Sequence, residues 1–443
     1  MTVKLKDNSL VEVNELDEVG NIIKMISNKS IKKLNAEGFF VFPNIVSDME
    51  DVSSEDFIIQ SVDGRFKTTN IIGLFQCENE QLVIESRFSD ENNFFISYLL
   101  QKVIGVPNIL STTSTFDFQE NIINLLMYIF PLYLKNAVKK GLYKTYVRKV
   151  YNDANIKGPI NISNHIKSNT PFKGSINYSQ RELTSNNYLI NLIRHTIEFI
   201  KQKPGATSIL YQVKDEVKDI VEATSYYKFH DRLKIIEENK KNPIRHAYYS
   251  DYRVLQDLCI LILNSSNHNI GTGTSKVNGI IFDVAWLWEE YVSLILTEDF
   301  YHPKNKSKNA NSGVQWLFTK VNDDRTQKTG QVYPDFISIN TQDRVIVDAK
   351  YKPYNNIGNK DYLQLLAYMF RFDSKKGYYI YPESSYKDNL KYHLNQGTSY
   401  DNNITIREDS YIKKVGIKIP TDVHDYNTFC NLMKMEEDSV KLI

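Results

Sequence analysis

The chain has 443 residues, of which 42% are hydrophobic and 24% are charged. This length favours two or three domains over one, and the composition indicates a folded soluble protein rather than a disordered one. The 54 basic and 53 acidic residues give a net charge of +1. No global basic field therefore marks a nucleic-acid-binding protein, and any DNA groove has to come from local clustering.

The chain has three cysteines, Cys77, Cys259 and Cys430, which are far apart in the sequence. Their number and spacing exclude a disulfide framework, a CxxC zinc site and a four-cysteine iron–sulfur cluster. The first 14 residues lack the apolar core and cleavage site of a signal peptide. The longest apolar runs are also much too short to span a membrane. We therefore expect a cytoplasmic protein without a membrane partner.

The first 105 residues predict an N-terminal β-rich domain. Short β-branched or aromatic runs recur between residues 39 and 86, and turn signals such as Asp63 followed by Gly64 separate them. The segment 1–36 is ambiguous, since it could be a small domain or a lead-in.

Residues 106–278 predict a helical middle region. Apolar residues recur every three to four positions, which predicts helices over residues 118–150, 188–201, 213–223, 232–239 and 254–264, after a helix over 94–104 that ends the first region. Pro131 should kink or interrupt the helix over 118–150. The polar stretch 158–178 contains Pro and Gly and predicts a hairpin or an extended loop.

Residues 279–443 predict an α/β domain. A predicted helix over 286–300 precedes strands over 314–320, 335–339 and 344–351, then a helix over 362–370 and a strand over 377–381. This order indicates a mixed sheet flanked by helices. One more strand is predicted over 415–419, followed by a short helix. The fold class expected for the whole chain is α+β with several domains.

Two carboxylates and a lysine are predicted to meet at the end of a hairpin in this last region. Asp335 opens one strand, while Asp348 and Lys350 share one face of the next, because side chains alternate along a strand. The two carboxylates repel each other unless a cation lies between them, and Mg²⁺ fits this role, with Mn²⁺ as an alternative. The lysine can hold an attacking water or neutralise charge on a phosphodiester. The pattern predicts phosphodiester hydrolysis; a surface salt bridge among the three residues is the alternative.

Neighbouring groups could support this site. The backbone carbonyl of Ala349 is a further candidate metal ligand, and Glu289 on the preceding helix could complete the metal shell. Gln364 and Tyr368 are four residues apart, so they share a helix face and could position the lysine or contact a phosphate. The alternatives are an exposed helix acid for Glu289 and a half-buried helix with polar edges for the pair.

Three other positions have simpler interpretations. Glu290 is expected to be an exposed acid, and Asp283 could cap the helix that carries Glu289. The stretch 271–276 (GTGTSK) resembles a phosphate-binding loop but lacks the GxxxxGK[ST] spacing, and it is expected to be a connector. We therefore expect that the chain does not bind a nucleotide.

With these residues the chain resembles the PD-(D/E)xK nuclease superfamily. More narrowly, it resembles the McrC nuclease subunits of modification-dependent restriction systems and their relatives in restriction systems of the LlaJI and BsuMI type. The resemblance covers roughly residues 40–385 and is carried by residues 141–146, 157–161, 187–191, 287–292, 348–352 and 364–368. Residues 165–172 and 194–196 look closer to the LlaJI and BsuMI branch.

The resemblance implies a restriction endonuclease subunit of type II or IV that acts on DNA. Asp335, Asp348 and Lys350 would be catalytic, with Glu289 and Gln364 supporting them. A GTP-dependent AAA+ ring would be the partner, and DNA recognition would reside in that ring or in an associated DNA methyltransferase. The loop 158–172 would engage the ring. Two alternatives stay open: a RecB/Cas4-like DNA-processing exonuclease, and a non-catalytic subunit that binds DNA or stimulates the ring.

Overall fold

The computed structural model describes residues 2–43, 57–77, 80–89, 94–104, 118–203, 206–265, 278–296, 299–303, 314–322, 325–384, 390–397 and 404–440. The chain forms two compact units. The first combines Met1–Asn121 with Gly271–Ile443, and the second is Ile122–Ile270. The division into three domains, 1–105, 106–278 and 279–443, stays a prediction. The expected connector at 271–276 lies outside the described residues.

The described residues contain eighteen strands: β1 Thr2–Lys6, β2 Leu10–Val11, β3 Phe40–Phe42, β4 Ile59–Val62, β5 Arg65–Thr68, β6 Ile71–Cys77, β7 Glu80–Glu85, β8 Thr145–Asp153, β9 Ile176–Thr184, β10 Asn278–Asp283, β11 Phe300–Tyr301, β12 Gln315–Asn322, β13 Arg325–Val332, β14 Phe336–Ser338, β15 Val345–Ala349, β16 Lys376–Glu383, β17 Leu390–Gln396 and β18 Thr405–Lys418. They also contain thirteen α-helices: α1 Gly20–Ile26, α2 Ile31–Ala36, α3 Phe94–Ile104, α4 Phe118–Val138, α5 Ile162–Asn169, α6 Tyr188–Lys201, α7 Ala206–Tyr211, α8 Lys214–Ala223, α9 Arg232–Lys241, α10 Ser250–Ser265, α11 Val284–Ile295, α12 Asn359–Arg371 and α13 Tyr426–Val440. In the part of the chain that the structure describes, no helix has the length and apolar character needed to cross a membrane.

The first unit contains a five-stranded sheet, here called the first sheet, with the order β1-β7-β6-β10-β3. Strands β3, β6 and β7 lie where the sequence predicts a β-rich region. Their apolar side chains, among them Phe75, Leu82 and Ile84, form a core with α1 and α2. Strand β10 comes from the C-terminal part of the chain and pairs with both β3 and β6. The first sheet is therefore completed by a strand that runs directly into α11.

The same unit contains a six-stranded mixed sheet, here called the second sheet, with the order β11-β14-β15-β16-β18-β17. Strands β15, β16 and β18 are parallel, whereas β11, β14 and β17 pair antiparallel with their neighbours. Helix α12 packs on this sheet through Leu365 and Met369, against Ile346 and Tyr379. The sequence predicted the mixed sheet but missed β13 and β17, and α11 ends at Ile295 rather than near residue 300.

The second unit consists of helices and one long hairpin. Helix α6 is the apolar helix predicted over 188–201, and it packs against α9 and α10. The helix predicted over 118–150 is wrong in its second half, because α4 ends at Val138 and residues 145–153 form β8. These residues are rich in Thr, Tyr and Val, which favour strands, and β8 pairs along its whole length with β9. Helix α4 continues through Pro131.

The contact between α12 and β16 predicts a stability effect at Gly377. A Cβ atom there would lie 2.7 Å from Met369 Sδ and 3.1 Å from Leu365 Cδ2, so the Met369 and Leu365 side chains would have to repack. We expect Gly377→Ala to lower the free energy of unfolding by about 1–3 kcal/mol, as overpacking does in other cores. The matched control is Gly358→Ala, because a Cβ at Gly358 meets nothing within 4 Å. Urea unfolding measures both, and equal midpoints would contradict the prediction.

Candidate active site

The hairpin of β14 and β15 forms as the sequence predicts. Phe336 pairs with Val347 and Ile337 with Ile346, in antiparallel register. Asp335 lies just before β14, and its Oδ2 accepts the backbone N–H of Ala349 at 2.8 Å. The hairpin therefore brings the Asp335 carboxylate to the end of the strand that carries Asp348.

Asp348 is buried with an ionic partner. Its side chain is 2% exposed, and Lys350 Nζ lies 2.7 Å from its Oδ2. Burial raises the pKa of Asp348 to about 7; the nearby Lys350 ammonium opposes this rise, and the Asp335 carboxylate adds to it. Burial also acts to lower the pKa of Lys350, but the carboxylates of Asp348 and Asp335 outweigh it and the pKa is raised. Lys350 therefore stays positively charged beside two carboxylates.

Helix α12 holds the lysine side chain. Lys350 Nζ donates to Gln364 Oε1 at 3.4 Å, and Gln364 Nε2 donates to the Tyr368 hydroxyl at 2.7 Å. The Tyr368 hydroxyl in turn donates to the backbone carbonyl of Tyr333 at 3.1 Å. Burial raises the pKa of Tyr368 to about 12, so its hydroxyl keeps the proton that this chain of hydrogen bonds requires. The structure thus brings the predicted pair, Gln364 and Tyr368, to the predicted lysine.

Helix α11 is fixed to the same strand end from another direction. The carbonyl of Ile380 in β16 accepts the backbone N–H of Lys350 at 2.9 Å and the indole N–H of Trp288 at 3.2 Å. Asp283 caps α11 as predicted, because its Oδ1 accepts the N–H of Trp286 at 2.9 Å. Trp288, the residue before Glu289, therefore anchors α11 to the Ile380 carbonyl, which also binds the Lys350 backbone.

The structure reveals a histidine that sequence reasoning missed. His302 Nδ1 lies 2.8 Å from the backbone carbonyl of Asp335, and its Nε2 lies 3.9 Å from Glu289 Oε1 and 3.6 Å from Glu290 Oε1. Its ring stacks on Phe336 with centroids 4.8 Å apart. Burial opposes a charged ring, but Glu290, the Asp335 carbonyl and Glu289 together raise the pKa of His302. The expectation of an exposed Glu290 is wrong, since its side chain is 28% exposed and faces His302.

No sequence motif marks His302. The residue follows the two-residue strand β11, which pairs with β14, and this pairing places His302 beside the start of β14. The contact could have been predicted only from the pairing of β11 with β14. A strand of two residues leaves too weak a pattern in the sequence for that pairing to be recognised.

The donor atoms beside Lys350 are of the kind that a hard divalent cation prefers. Asp335 and Asp348 supply carboxylate oxygens, and the Ala349 carbonyl points to the Asp335 side, because the Lys350 N–H of the same peptide bond points to β16. In the described residues no three His, Cys, Asp or Glu side chains are arranged to hold a metal ion, so Glu289 does not join the two aspartates in such a group. Mg²⁺ needs only one or two carboxylates together with waters and substrate phosphates. The metal role of Glu289 stays a prediction.

Comparison with known proteins identifies relatives of the chain. The family model described as "McrBC 5-methylcytosine restriction system component" matches residues 66–382, which is more than half of the chain. A search of curated proteins finds no match. Solved structures that are similar to this chain include the following two. One is a half-complex from a tetradecameric assembly of Thermococcus gammatolerans McrB AAA+ hexamers with bound McrC, at 16% identity and a TM-score of 0.45, covering 99% of each chain. The other is the Thermococcus gammatolerans McrBC complex, at 17% identity and a TM-score of 0.32, covering 67% of this chain and 88% of that one.

The paired carboxylates predict that Mg²⁺ stabilises the protein. A cation that binds only the folded state increases the free energy of unfolding, by about 2.7 kcal/mol at a concentration a hundred times its Kd. We expect this increase in the wild type and its loss in Asp348→Asn, as measured by thermal unfolding with and without Mg²⁺. The control is Asp343→Asn, since Asp343 lies in the turn of the same hairpin and pairs with Lys376. An undiminished increase in Asp348→Asn would mean that the cation binds elsewhere.

Proposed function

The chain belongs to the family of McrBC 5-methylcytosine restriction system components, and on this premise we propose that it is the Mg²⁺-dependent DNA endonuclease subunit of such a system. The observation that carries the proposal is the ion pair of the buried Asp348 with the half-buried Lys350, beside the Asp335 carboxylate. Buried titratable groups with shifted pKa values are typical of catalytic sites. A family of restriction components makes DNA the natural substrate, and two carboxylates with a lysine are the groups that phosphodiester hydrolysis needs.

Each residue of the site has a proposed role in the hydrolysis. Asp335, Asp348 and the Ala349 carbonyl would hold Mg²⁺, or Mn²⁺ in its place, which when bound supplies charge neutralisation and acidifies a coordinated water. Lys350 is charged at neutral pH and places its ammonium where negative charge develops on the phosphodiester. Gln364 orients that ammonium through its Oε1. Glu289 on α11 lies on the side of His302, and its carboxylate would support the metal site from there.

A GTP-dependent AAA+ ring is the proposed partner, and the chain itself would bind no nucleotide. The arm, defined here as residues 145–184, which contain β8, α5 and β9, is the part that would contact it. Exposed apolar side chains lie on the arm, among them Ile162, Ile166 and Phe172 at 67%, 59% and 66% exposure. Contiguous exposed apolar surface is typical of a site of interaction with another protein, and we propose that these side chains form one. Residues 165–172 of the arm are also those that resemble the LlaJI and BsuMI branch.

Two pairs of substitutions test the nuclease function. We expect Asp348→Ala and Lys350→Ala each to lower the rate of DNA cleavage at least about 100-fold, since each removes a charge from the reacting centre. The assay contains the purified chain, its AAA+ partner, GTP, Mg²⁺ and DNA. The matched controls are Asp343→Ala and Lys376→Ala, an ion pair on the same sheet that is more exposed. These should cleave at nearly the wild-type rate.

The outcomes separate the alternatives. Cleavage that survives both active-site substitutions would refute the site assignment. Cleavage by the wild type that is equally fast without the ring would refute the subunit model and favour an independent exonuclease. Wild-type protein that stimulates the ring but never cleaves would favour a non-catalytic subunit.

The arm is tested independently of cleavage. We expect Ile166→Ser and Phe172→Ser to weaken binding to the ring at least about tenfold, because each removes exposed apolar area that the partner would cover. Leu233→Ser is the control, since Leu233 is 64% exposed on α9 of the same unit but lies outside the arm. Binding is measured by titration with the partner in the presence of GTP. Equal affinities for all variants would exclude the arm as the contact.

A further inference from the structure

Tyr351 directly follows Lys350 and connects the second sheet to the first. Its side chain is buried, at 4% exposure, and its hydroxyl lies 2.6 Å from Ser86 Oγ. Ser86 is itself fully buried and follows the last residue of β7. This hydrogen bond therefore joins two segments that are 265 positions apart in the chain.

The next two residues after Ser86 enclose the Tyr351 ring. The Arg87 guanidinium carbon lies 5.0 Å from the ring centroid, and the Phe88 ring meets it edge-on at 5.3 Å and 75°. Arg87 Nη2 also donates to the backbone carbonyl of Tyr351 at 3.3 Å. Tyr351 is thus held by its hydroxyl, its ring and its backbone at once. We call Ser86, Arg87 and Phe88 the clamp.

The clamp is anchored in the first sheet. Asp7, directly after β1, accepts the backbone N–H of Arg87 at 2.6 Å through Oδ1, and its Oδ2 lies 3.2 Å from Arg87 Nη2. The backbone N–H of Asp7 donates to the Glu85 carbonyl at 2.8 Å. Asp7 is 1% exposed, so this ion pair is shielded from water. Arg87 is therefore fixed by the edge strand β1 and its neighbour β7, and is not a mobile surface side chain.

Lys350 directly follows the last residue of β15, so the position of its backbone depends on hydrogen bonds and contacts on both sides. On the N-terminal side, the Ala349 N–H bonds to Asp335, and the Lys350 N–H bonds to Ile380. On the C-terminal side, Tyr351 contacts the clamp. Ends of strands open locally at a low free-energy cost. The clamp thus opposes the opening of the strand end that carries the Lys350 ammonium.

We propose that Tyr351 is a positioning residue for Lys350, and that the first sheet, through the clamp, is part of the catalytic apparatus. The proposal rests on the proposed nuclease function for its catalytic consequence, although the restraint of the Lys350 backbone does not depend on it. It gives the N-terminal β-rich region a role, namely to fix the backbone of the active-site lysine from outside the second sheet.

Two variants weaken the restraint without removing an active-site group. Tyr351→Phe and Ser86→Ala each delete one hydroxyl of the bond between Tyr351 and Ser86. In cleavage assays with the ring, GTP and Mg²⁺, we expect kcat to fall about tenfold, because small displacements of a catalytic group are costly. The KM for DNA should change less than about twofold. Amide hydrogen exchange in the peptide 349–352 should become about tenfold faster in both variants.

The matched control is Tyr378→Phe. Tyr378 is a buried tyrosine in the same sheet, and its hydroxyl lies 3.0 Å from the Tyr411 hydroxyl rather than at the clamp. We expect it to lose a comparable hydrogen bond and comparable thermal stability, with kcat and exchange in 349–352 close to the wild type. An equal fall of kcat in this control would overturn the proposal, since the effect would then be one of general stability.

The two measurements separate this proposal from the proposed function. Unchanged exchange and unchanged kcat in Tyr351→Phe and Ser86→Ala, with active wild type, would overturn the positioning role and leave the nuclease function intact. Faster exchange in both variants, with a wild type that cleaves no DNA, would retain the restraint of Lys350 and refute the nuclease function. Faster exchange with an unchanged kcat would overturn the catalytic role of the clamp.

Discussion

The ion pair of Asp348 and Lys350 is the constraint on which the arrangement of the first unit depends. A charged pair removed from water is costly unless good geometry and further hydrogen bonds compensate for the lost solvation, and the cost is several kcal/mol per ion. Here the Lys350 ammonium pairs with Asp348 and donates to Gln364, while the Lys350 backbone N–H donates to Ile380. An aliphatic strand end that buries these charges gains nothing in packing from them. The proposed nuclease chemistry accounts for such a pair, and Gln364 and Ile380 hold the lysine in place.

The elements that meet the strand end restrain three different groups: the Lys350 ammonium, the Lys350 amide and the Ala349 amide. Helix α12 orients the Lys350 ammonium through Gln364, whose own amide is set by the Tyr368 hydroxyl. Helix α11 and strand β16 share the Ile380 carbonyl, which fixes the Lys350 amide. Strand β14 brings Asp335 to the Ala349 amide. Four separate elements thus converge on Ala349 and Lys350, and such pre-organisation is what the proposed electrostatic catalysis would require.

What the sequence predicted of the site is local along the chain. The hairpin, the shared face of Asp348 and Lys350, and the pair Gln364 and Tyr368 all follow from periods of two or about four residues. The contacts that sequence missed join distant segments. His302 meets Asp335 only because a two-residue strand pairs with β14, and Tyr351 meets Ser86 across 265 positions. A single sequence contains no pattern that relates such pairs.

The errors in the fold have the same origin. Residues 145–150 carry apolar side chains that also fit a helix, and they become β8 because β9 pairs with them from Thr145 to Asp153. Thr, Tyr and Val favour strands, but the helical spacing of apolar residues continues beyond α4 and favours a helix over the same residues. The partner strand decided between the two, and the sequence does not reveal which segment will pair.

The division of the chain has a consequence for how the site is assembled. The second unit, Ile122–Ile270, is inserted between the two chain segments that form the first unit. Strand β10 pairs with β3 and β6 and then runs into α11 through the Asp283 cap, so the helix that carries Glu289 begins at the edge of the first sheet. Tyr351 makes the second connection between the sheets. A fragment that began at residue 279 would contain the carboxylates and the lysine, yet it would lack both the strands that pair with β10 and the clamp that holds Tyr351. The proposed catalytic residues Asp335, Asp348 and Lys350 therefore lie close together in the sequence, whereas their geometry depends on both chain segments of the first unit.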